Sequence, residues 1–325
     1  MKSLPLLFAS SVLFGASAAA AAPQVVVSIK PIHSLVASIM QGVGEPALIV
    51  EGAASPHTFT MRPSNARAVE AADIVFWMGP GMEAFLEKPL AALASDATVV
   101  ELDHAEGLTR LPFREGGAFE AHGHADHSHG EAGHDHAHQE GEEADDHDRH
   151  HHGQFDTHLW LDPMNAKAMA AAIEQALSAA DPANAESYAA NLEELNGKID
   201  SLDREIAETL APVKDKPFVV FHDAYQYFEA HYGVRVVGSV TVSPEVMPGA
   251  ERVKEIHRKV EELGAACVFA EPQFEPKLIQ VVTEGTEARS GTLDPEGASL
   301  TEGPNLYFDL MRSIAASLKG CLSGT

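Results

Sequence analysis

Cysteine, basic residues and long apolar runs are all scarce in this chain. It has two cysteines in 325 residues, Cys267 and Cys321. Their wide separation shows no finger-type spacing, so metal ligation by thiolate is disfavoured. Lys and Arg total 22 against 48 Asp and Glu, a formal net charge of -26. Such a surface repels phosphate backbones and anionic lipid alike, which argues against nucleic acid as a partner and in favour of cations. The one notable apolar run, Leu4 to Phe14, spans 11 residues, where a membrane-crossing helix needs about 20. No His-Glu-x-x-His helix occurs, so the usual zinc hydrolase signature is missing.

The rest of the composition is ordinary for a globular protein, with 45% apolar and 22% charged residues. At 34.6 kDa the chain has room for two domains, each with its own core. Lys2, the apolar run, Ser17 and the alanines from Ala18 to Ala22 follow the charged, greasy, small-residue order of a secretory leader. Residues 1–22 are therefore expected to be removed on export. With no Cys near that point, a lipid anchor is not expected. In an oxidising compartment the two late cysteines are expected to pair, tying the chain end to the last domain. Such a bridge nominally stabilises by about 2 to 4 kcal/mol.

Short apolar runs alternate with helical patterns along the chain. Val25–Ile29, Ala47–Val50, Asp73–Met78 and Val99–Leu102 read as strands, with helices over Ile32–Met40 and Ser64–Ala72 between them. A second set comprises strands over Phe218–Phe221, Val234–Val240, Ala266–Ala270 and Glu287–Leu293, with helices over Glu251–Leu263 and Pro276–Thr283. This predicts an α/β protein of two lobes, each a parallel four-stranded sheet flanked by helices. Between them, Asp181-Pro182 opens a long helix whose Tyr188, Leu192, Leu195, Ile199, Leu202, Ile206 and Leu210 form one apolar stripe. We expect a rigid strut linking the lobes; a coiled-coil dimer is the competing explanation, and a monomer the favoured one. The expected divisions are a leader at 1–22, a first lobe at 23–180, a linking helix at 181–212 and a second lobe at 213–325.

The stretch from Arg114 to Gln154 differs in kind. It contains 11 His and 11 Asp or Glu and no Leu, Ile, Val or Met, so it cannot bury enough surface to offset the entropy of ordering. We expect an inserted loop at about 114–154. Its His122, His124, His127, His129, His134, His136, His138, His147, His150, His151 and His152 would bind several Zn2+ weakly and interchangeably. Such a loop could be a metal-capturing antenna, a docking arm for a zinc chaperone, or a solvated tether.

The isolated histidines carry the sharper signal. His57 follows the second strand, His158 precedes a helix, and His222 directly follows Phe218–Phe221. Asp294 follows the last strand, and open α/β sheets place ligands at such strand ends. Three imidazoles and one oxygen suit tetrahedral Zn2+, whereas manganese prefers more oxygen. Glu271 ends a strand of the second set and is either an acceptor orienting an imidazole or a turn carboxylate. His33 reads as part of an early helical turn, and His104, His231 and His257 as solvent-facing. Trp160 and Tyr225 are expected to pack the lobe interface.

Ser55-Pro56-His57, His158-Leu159-Trp160-Leu161-Asp162-Pro163, Phe221-His222-Asp223-Ala224-Tyr225, Phe269-Ala270-Glu271-Pro272-Gln273-Phe274 and Gly291-Thr292-Leu293-Asp294-Pro295 occur in this order. Together they resemble the ZnuA-like zinc-uptake periplasmic binding proteins of bacterial ABC transporters, along nearly the whole mature chain, His-rich insertion and late cysteines included. The resemblance implies two lobes joined by a rigid helix, a single metal buried between them, and delivery to a membrane permease. It makes His57, His158 and His222 the imidazole ligands, with Asp294 or a water as the fourth. Some zinc members carry Glu before the first ligand His; here that position is Pro56, which excludes such a ligand. A manganese receptor of the same architecture is the alternative, and a zinc-dependent hydrolase a more distant one.

Overall fold

The computed structural model describes residues 22–114, 119, 155–241, 249–274 and 277–324. The leader and the His-rich segment thus lie outside the described residues apart from their edges. The first lobe contains β1 (Val25–Val27), α1 (Lys30–Ile39), β2 (Ala47–Leu48), α2 (Pro63–Glu70), β3 (Ile74–Trp77), α3 (Ala84–Leu93) and β4 (Thr98–Glu101). After the His-rich segment come α4 (Pro163–Ala180) and the long α5 (Ala185–Leu210). The second lobe contains β5 (Pro217–His222), α6 (Gln226–Tyr232), β6 (Arg235–Thr241), α7 (Ala250–Glu262), β7 (Cys267–Ala270), α8 (Lys277–Thr283), β8 (Arg289–Thr292) and α9 (Leu306–Ser323).

Both sheets are parallel and wound alike, in the orders β2-β1-β3-β4 and β6-β5-β7-β8. Val-Val-Val in β1 and Ile-Val-Phe-Trp in β3 are buried throughout, as a sheet covered on both faces requires. In each lobe the winding reverses between the first and third strands, and that reversal opens a crevice at the strands' carboxyl ends. The two crevices supply the positions from which His57, His222 and Glu271 depart. The strands fall where the alternation predicts them, with ends that differ by a few residues: β5 extends to Pro217 and His222, and β2 keeps only Ala47 and Leu48 of the expected four.

The long helix begins later than expected. Pro182–Asn184 form a separate 3-10 turn, and the α-helix starts at Ala185 and runs 26 residues. Asp181 is occupied otherwise: its Oδ2 accepts from Asn184 Nδ2 at 2.7 Å and from the Tyr188 hydroxyl at 2.9 Å. The stripe is buried at Tyr188, Leu195, Ile199, Leu202, Ile206 and Leu210. It packs on α1, α4, α6 and α9, so burial inside one chain accounts for the apolar pattern. At 1.5 Å per residue the helix measures about 39 Å.

The lobes share more than this strut. One apolar cluster runs from Val26, Val75 and Trp160 to Phe218, Phe269 and Leu318. The buried Lys30, at the start of α1, donates to the carbonyls of Gly297, Ala298 and Leu300 at 3.2, 3.2 and 3.0 Å. Its charge thereby clasps a loop of the other lobe. Trp160 packs the interface as expected, its Nε1 donating to the Pro295 carbonyl at 2.9 Å. Cys267 and Cys321 form the anticipated disulfide, joining β7 to α9. Among the described residues no helix is long and apolar enough to cross a membrane.

His33 lies in the first turn of α1, as expected, whereas His231 and His257 are not solvent-facing. His33 is buried, with Nε2 3.0 Å from the Pro46 carbonyl, and His257 is half-buried, with Nδ1 3.0 Å from the Val282 carbonyl. His231 is a lobe tie: Nδ1 lies 3.1 Å from Asp162 Oδ1, and Nε2 2.8 Å from Asp203 Oδ1. Its place in the last turn of a short helix gave no sign of these partners, which come from α5 and the first lobe.

The Asp162 carboxylate, then Asp203, raise the His231 pKa above 6.5 despite partial burial. Protonation is thus favoured in the folded state. The resulting stability is fully present below about pH 6.5 and is lost as pH climbs through the raised value. Thermal melts of wild type and His231→Gln should differ most near pH 5.5 and converge towards pH 8. A difference that widened with pH would contradict the assignment.

Candidate metal centre

His222 closes β5, a strand buried from Phe218 onward, so its ring emerges at the carboxyl edge of the second sheet. His158 precedes a short 3-10 turn, Leu159–Leu161, that is fully buried. That turn is held by the opposite lobe: the Tyr227 hydroxyl donates to the Asp156 carbonyl at 2.6 Å, and Tyr307 donates to the Trp160 carbonyl at 3.0 Å. His57 rides on the irregular stretch between β2 and α2, where Thr58 N donates to the Ser55 carbonyl at 3.3 Å. The three residues are far apart in sequence, yet each offers a ring nitrogen within 4.8 Å of the others'.

The ring centroids lie 5.2 Å apart for His158 and His222, 5.6 Å for His57 and His158, and 5.9 Å for His57 and His222. Each of the two deeply buried rings is fixed by a carboxylate. His158 Nδ1 stands 2.7 Å from Asp156 Oδ1, which also accepts from the His158 backbone amide at 3.0 Å. His222 Nδ1 stands 2.6 Å from Glu271 Oε1. Binding a carboxylate through Nδ1 leaves Nε2 facing inward, and the two Nε2 atoms confront each other at 3.3 Å. His57 Nε2 is fully buried and has no hydrogen-bond partner among the described residues. A buried, unpaired ring nitrogen costs free energy unless something meets it.

Electrostatics separate the rings. Burial, reinforced by His158 and His222, holds the His57 pKa well below 6.5 and keeps that ring neutral. Burial acts the same way on His222, but Glu271, Asp223 and Asp156 outweigh it and raise the His222 pKa. The surroundings are strongly acidic. Burial, then Asp294, Glu83 and Glu271, push the Glu296 carboxyl well above 4.5, and Lys30 only partly compensates. Burial also pushes Glu83 up to about 7, although Ser28 and the Met78 and Gly79 amides all donate to it. Positive charge is therefore favoured between the lobes.

The other residues singled out from sequence fall as follows. Glu271 is the imidazole acceptor and not a turn carboxylate. Asp294 lies outside the three-histidine cluster: its two oxygens accept from the Glu296 and Ser299 amides at 3.2 and 3.4 Å, closing the loop that Lys30 clasps. Asp156 escaped sequence analysis. The pattern Asp156-Thr157-His158 was available, but the acceptor role is set by a turn and not by a spacing rule. The eleven loop histidines are outside the described residues.

A family model for ZnuA, zinc-uptake complex component A, periplasmic, matches residues 25–321. The chain belongs to the ZnuA family. It is 53% identical over 335 residues to the high-affinity zinc uptake system protein ZnuA of Brucella suis biovar 1, covering 99% of this chain and 100% of that one. The protein of the same name from Yersinia pestis is 37% identical over 324 residues, covering 97% and 96%. Two solved structures share the fold of this ZnuA-family chain. A crystal structure of ZnuA gives a TM-score of 0.73 at 22% identity, covering 93% of this chain and 99% of that one. The periplasmic zinc binding protein TroA of Treponema pallidum gives 0.74 at 18%, with the same coverage.

Removing the negative charge beside His222 while keeping an acceptor should lower its titration. In metal-free Glu271→Gln, the His222 midpoint measured by NMR should fall below the wild-type value. An unchanged midpoint would mean that another group governs this ring.

Proposed function

We propose that this ZnuA-family chain is the solute-binding component of an ABC zinc importer, capturing Zn2+ between its lobes at His57, His158 and His222. The observation that carries this is the convergence of three imidazoles, one with a buried nitrogen lacking any hydrogen-bond partner. An all-nitrogen set of three favours Zn2+ over Mn2+, and the relatives from Brucella and Yersinia are named high-affinity zinc uptake proteins. Water completes the tetrahedron in this reading, since Asp294 lies outside the cluster of donors within 4.8 Å of one another. Asp156 and Glu271 act as positioning residues, fixing the tautomer of the ring each one holds.

The protein works without chemistry on its cargo. Residues 1–22 direct it to the periplasm. A membrane permease receives the ion, and the histidines of 114–154 gather Zn2+ loosely or meet a zinc chaperone. Domain limits at 181 and 213 suit a linking helix that contacts both lobes. The apolar stripe of that helix is spent within the chain, which agrees with a monomer.

The expected result of zinc competition titrations is a loss of more than about 100-fold in affinity for His57→Ala, His158→Ala or His222→Ala. Any single loop histidine replaced by Ala should change the tight site by less than about twofold, and deleting 116–153 should leave it intact. Equal effects in cleft and loop would refute the assignment.

A separate measurement concerns acid. Imidazoles must be deprotonated to bind, and His222 is the ring most inclined to keep its proton. Affinity should therefore weaken as pH falls, beginning somewhat above the ordinary His value of about 6.5. Isothermal titration from pH 8 to 5.5 checks this, and a flat profile would exclude neutral imidazole ligands.

A further inference from the structure

An ion held at the proposed site must keep rings from two lobes in register, since His57 and His158 come from the first lobe and His222 from the second. One charged side chain ties the lobes immediately beside those rings. Arg114, where the His-rich segment begins, sends its guanidinium to the second lobe. Its Nε donates to Asp223 Oδ2 at 3.0 Å and its Nη2 to Asp223 Oδ1, while Nη1 donates to Glu229 Oε2. Asp223 directly follows His222, and its side chain is only 6% exposed. Glu229 belongs to α6, and its Oε1 accepts from the Val236 amide of β6 at 3.2 Å, so this carboxylate is fixed from behind. The Phe119 ring centroid stands 4.1 Å from the guanidinium carbon and covers it.

The stretch that carries Arg114 is also bound to the neighbouring ring. Asp156 N donates to the Leu111 carbonyl at 2.9 Å, and Asp156 Oδ1 lies 2.7 Å from His158 Nδ1. Contacts therefore run without a gap from His158 through Asp156, the segment Leu111–Arg114 and Asp223 to His222. These are the two rings whose Nε2 atoms are 3.3 Å apart. Two neutral hydrogen bonds from α6 support the same segment: Leu111 N donates to the Tyr227 hydroxyl, and Gln226 Nε2 to the Pro112 carbonyl, both at 3.0 Å. Arg114 adds the charged link. A planar guanidinium holding both oxygens of one carboxylate fixes direction as well as distance, which a hydrogen bond to a single atom does not.

We propose that Arg114 is a positioning residue for zinc retention: by tying Asp223 and Glu229 to the first lobe it holds His222 in register with His158 and so slows release of the ion. The inference rests on the reading of the three histidines as the zinc site. Arg114 acts on that site through Asp223 and touches no ring itself. Its pair with Asp223 is largely shielded from water, with side chains 19% and 6% exposed, so breaking it is costly. The Arg312–Glu205 pair between α9 and α5 is of the opposite kind, with side chains 46% and 50% exposed. An ion pair so open to solvent contributes little.

The test loads the full chain with one equivalent of Zn2+ and follows release into excess chelator by stopped flow. Arg114→Gln should release the ion at least about tenfold faster than wild type, and Arg114→Lys, which restores a charge, should recover part of the loss. Combining Arg114→Gln with Asp223→Asn leaves no unpaired carboxylate and should still give fast release. A return to the wild-type rate there would mean that only the stray charge of Asp223 mattered, and would overturn the proposal. Arg312→Gln should release zinc as wild type does; an equal acceleration would mark general loosening and overturn it too. In protein loaded with Co2+ instead, the visible absorption reports the donor geometry, and it should change in both Arg114 variants but not in Arg312→Gln. If Arg114→Gln fails to fold, Arg114→Lys decides, and a wild-type rate and cobalt spectrum there overturn the proposal. His158→Ala separates the two readings. Slow release retained in His158→Ala sinks the cleft site, whereas fast release there with a wild-type rate in Arg114→Gln sinks the role of Arg114 alone.

Discussion

Two imidazole nitrogens held face to face at 3.3 Å set the terms for everything around them. Asp156 and Glu271 each engage the Nδ1 of a ring, so both rings present lone pairs to the same point. Two lone pairs at that distance repel. A proton between them relieves the repulsion, and so does a cation. Glu271, Asp223 and Asp156 raise the His222 pKa and so favour the proton; in the proposed site a Zn2+ ion would take its place, met also by the orphan Nε2 of His57. The same carboxylates that orient the rings also hold the local potential negative, so orientation and attraction come from one pair of residues.

That geometry must be assembled across two lobes, and the fold supplies the means. Winding reversals in both parallel sheets place loop ends at one crevice. The His158 segment belongs to the first lobe by sequence, but its carbonyls are received by Tyr227 and Tyr307 of the second. Misplacing either lobe by an ångström would therefore disturb a ring that the other lobe supports. The Lys30 clasp, the continuous apolar core and α5 resist such displacement together.

Much of this was legible in the sequence, for identifiable reasons. Strands buried along their length, such as β1, β3 and β5, announce themselves as runs of Val, Ile and Phe, whereas the more exposed β2, β4 and β8 were legible only from their alternation with helical patterns. The stripe of α5 was equally plain, because helical spacing of large apolar residues has few other causes. Histidines next to strand ends, in motifs resembling a known family, gave the three rings. What stayed hidden depended on tertiary partners. Asp156 is two residues from a predicted ligand, yet nothing in its spacing marks it as an acceptor. His231 looked like a surface residue because its partners, Asp162 and Asp203, are about 70 and 28 residues away. Asp294 matched its motif, but its oxygens are taken up by the amides of the loop that follows.

Rigidity of this kind makes release the harder half of the task. The three rings are not equivalent: His158 and His222 are buried and have carboxylate anchors, and the His158 segment is also held by the opposite lobe. His57 has no such anchor and stands on an irregular stretch without a sheet partner. The residues flanking it, Ser55 and Thr58, line a surface groove of about 380 Å³ together with Gln273 and Phe274 of the second lobe. In the proposed site, displacing His57 would remove one ligand of three without breaking the Lys30 clasp. Moving either anchored ring would instead strand a buried carboxylate, which is far costlier.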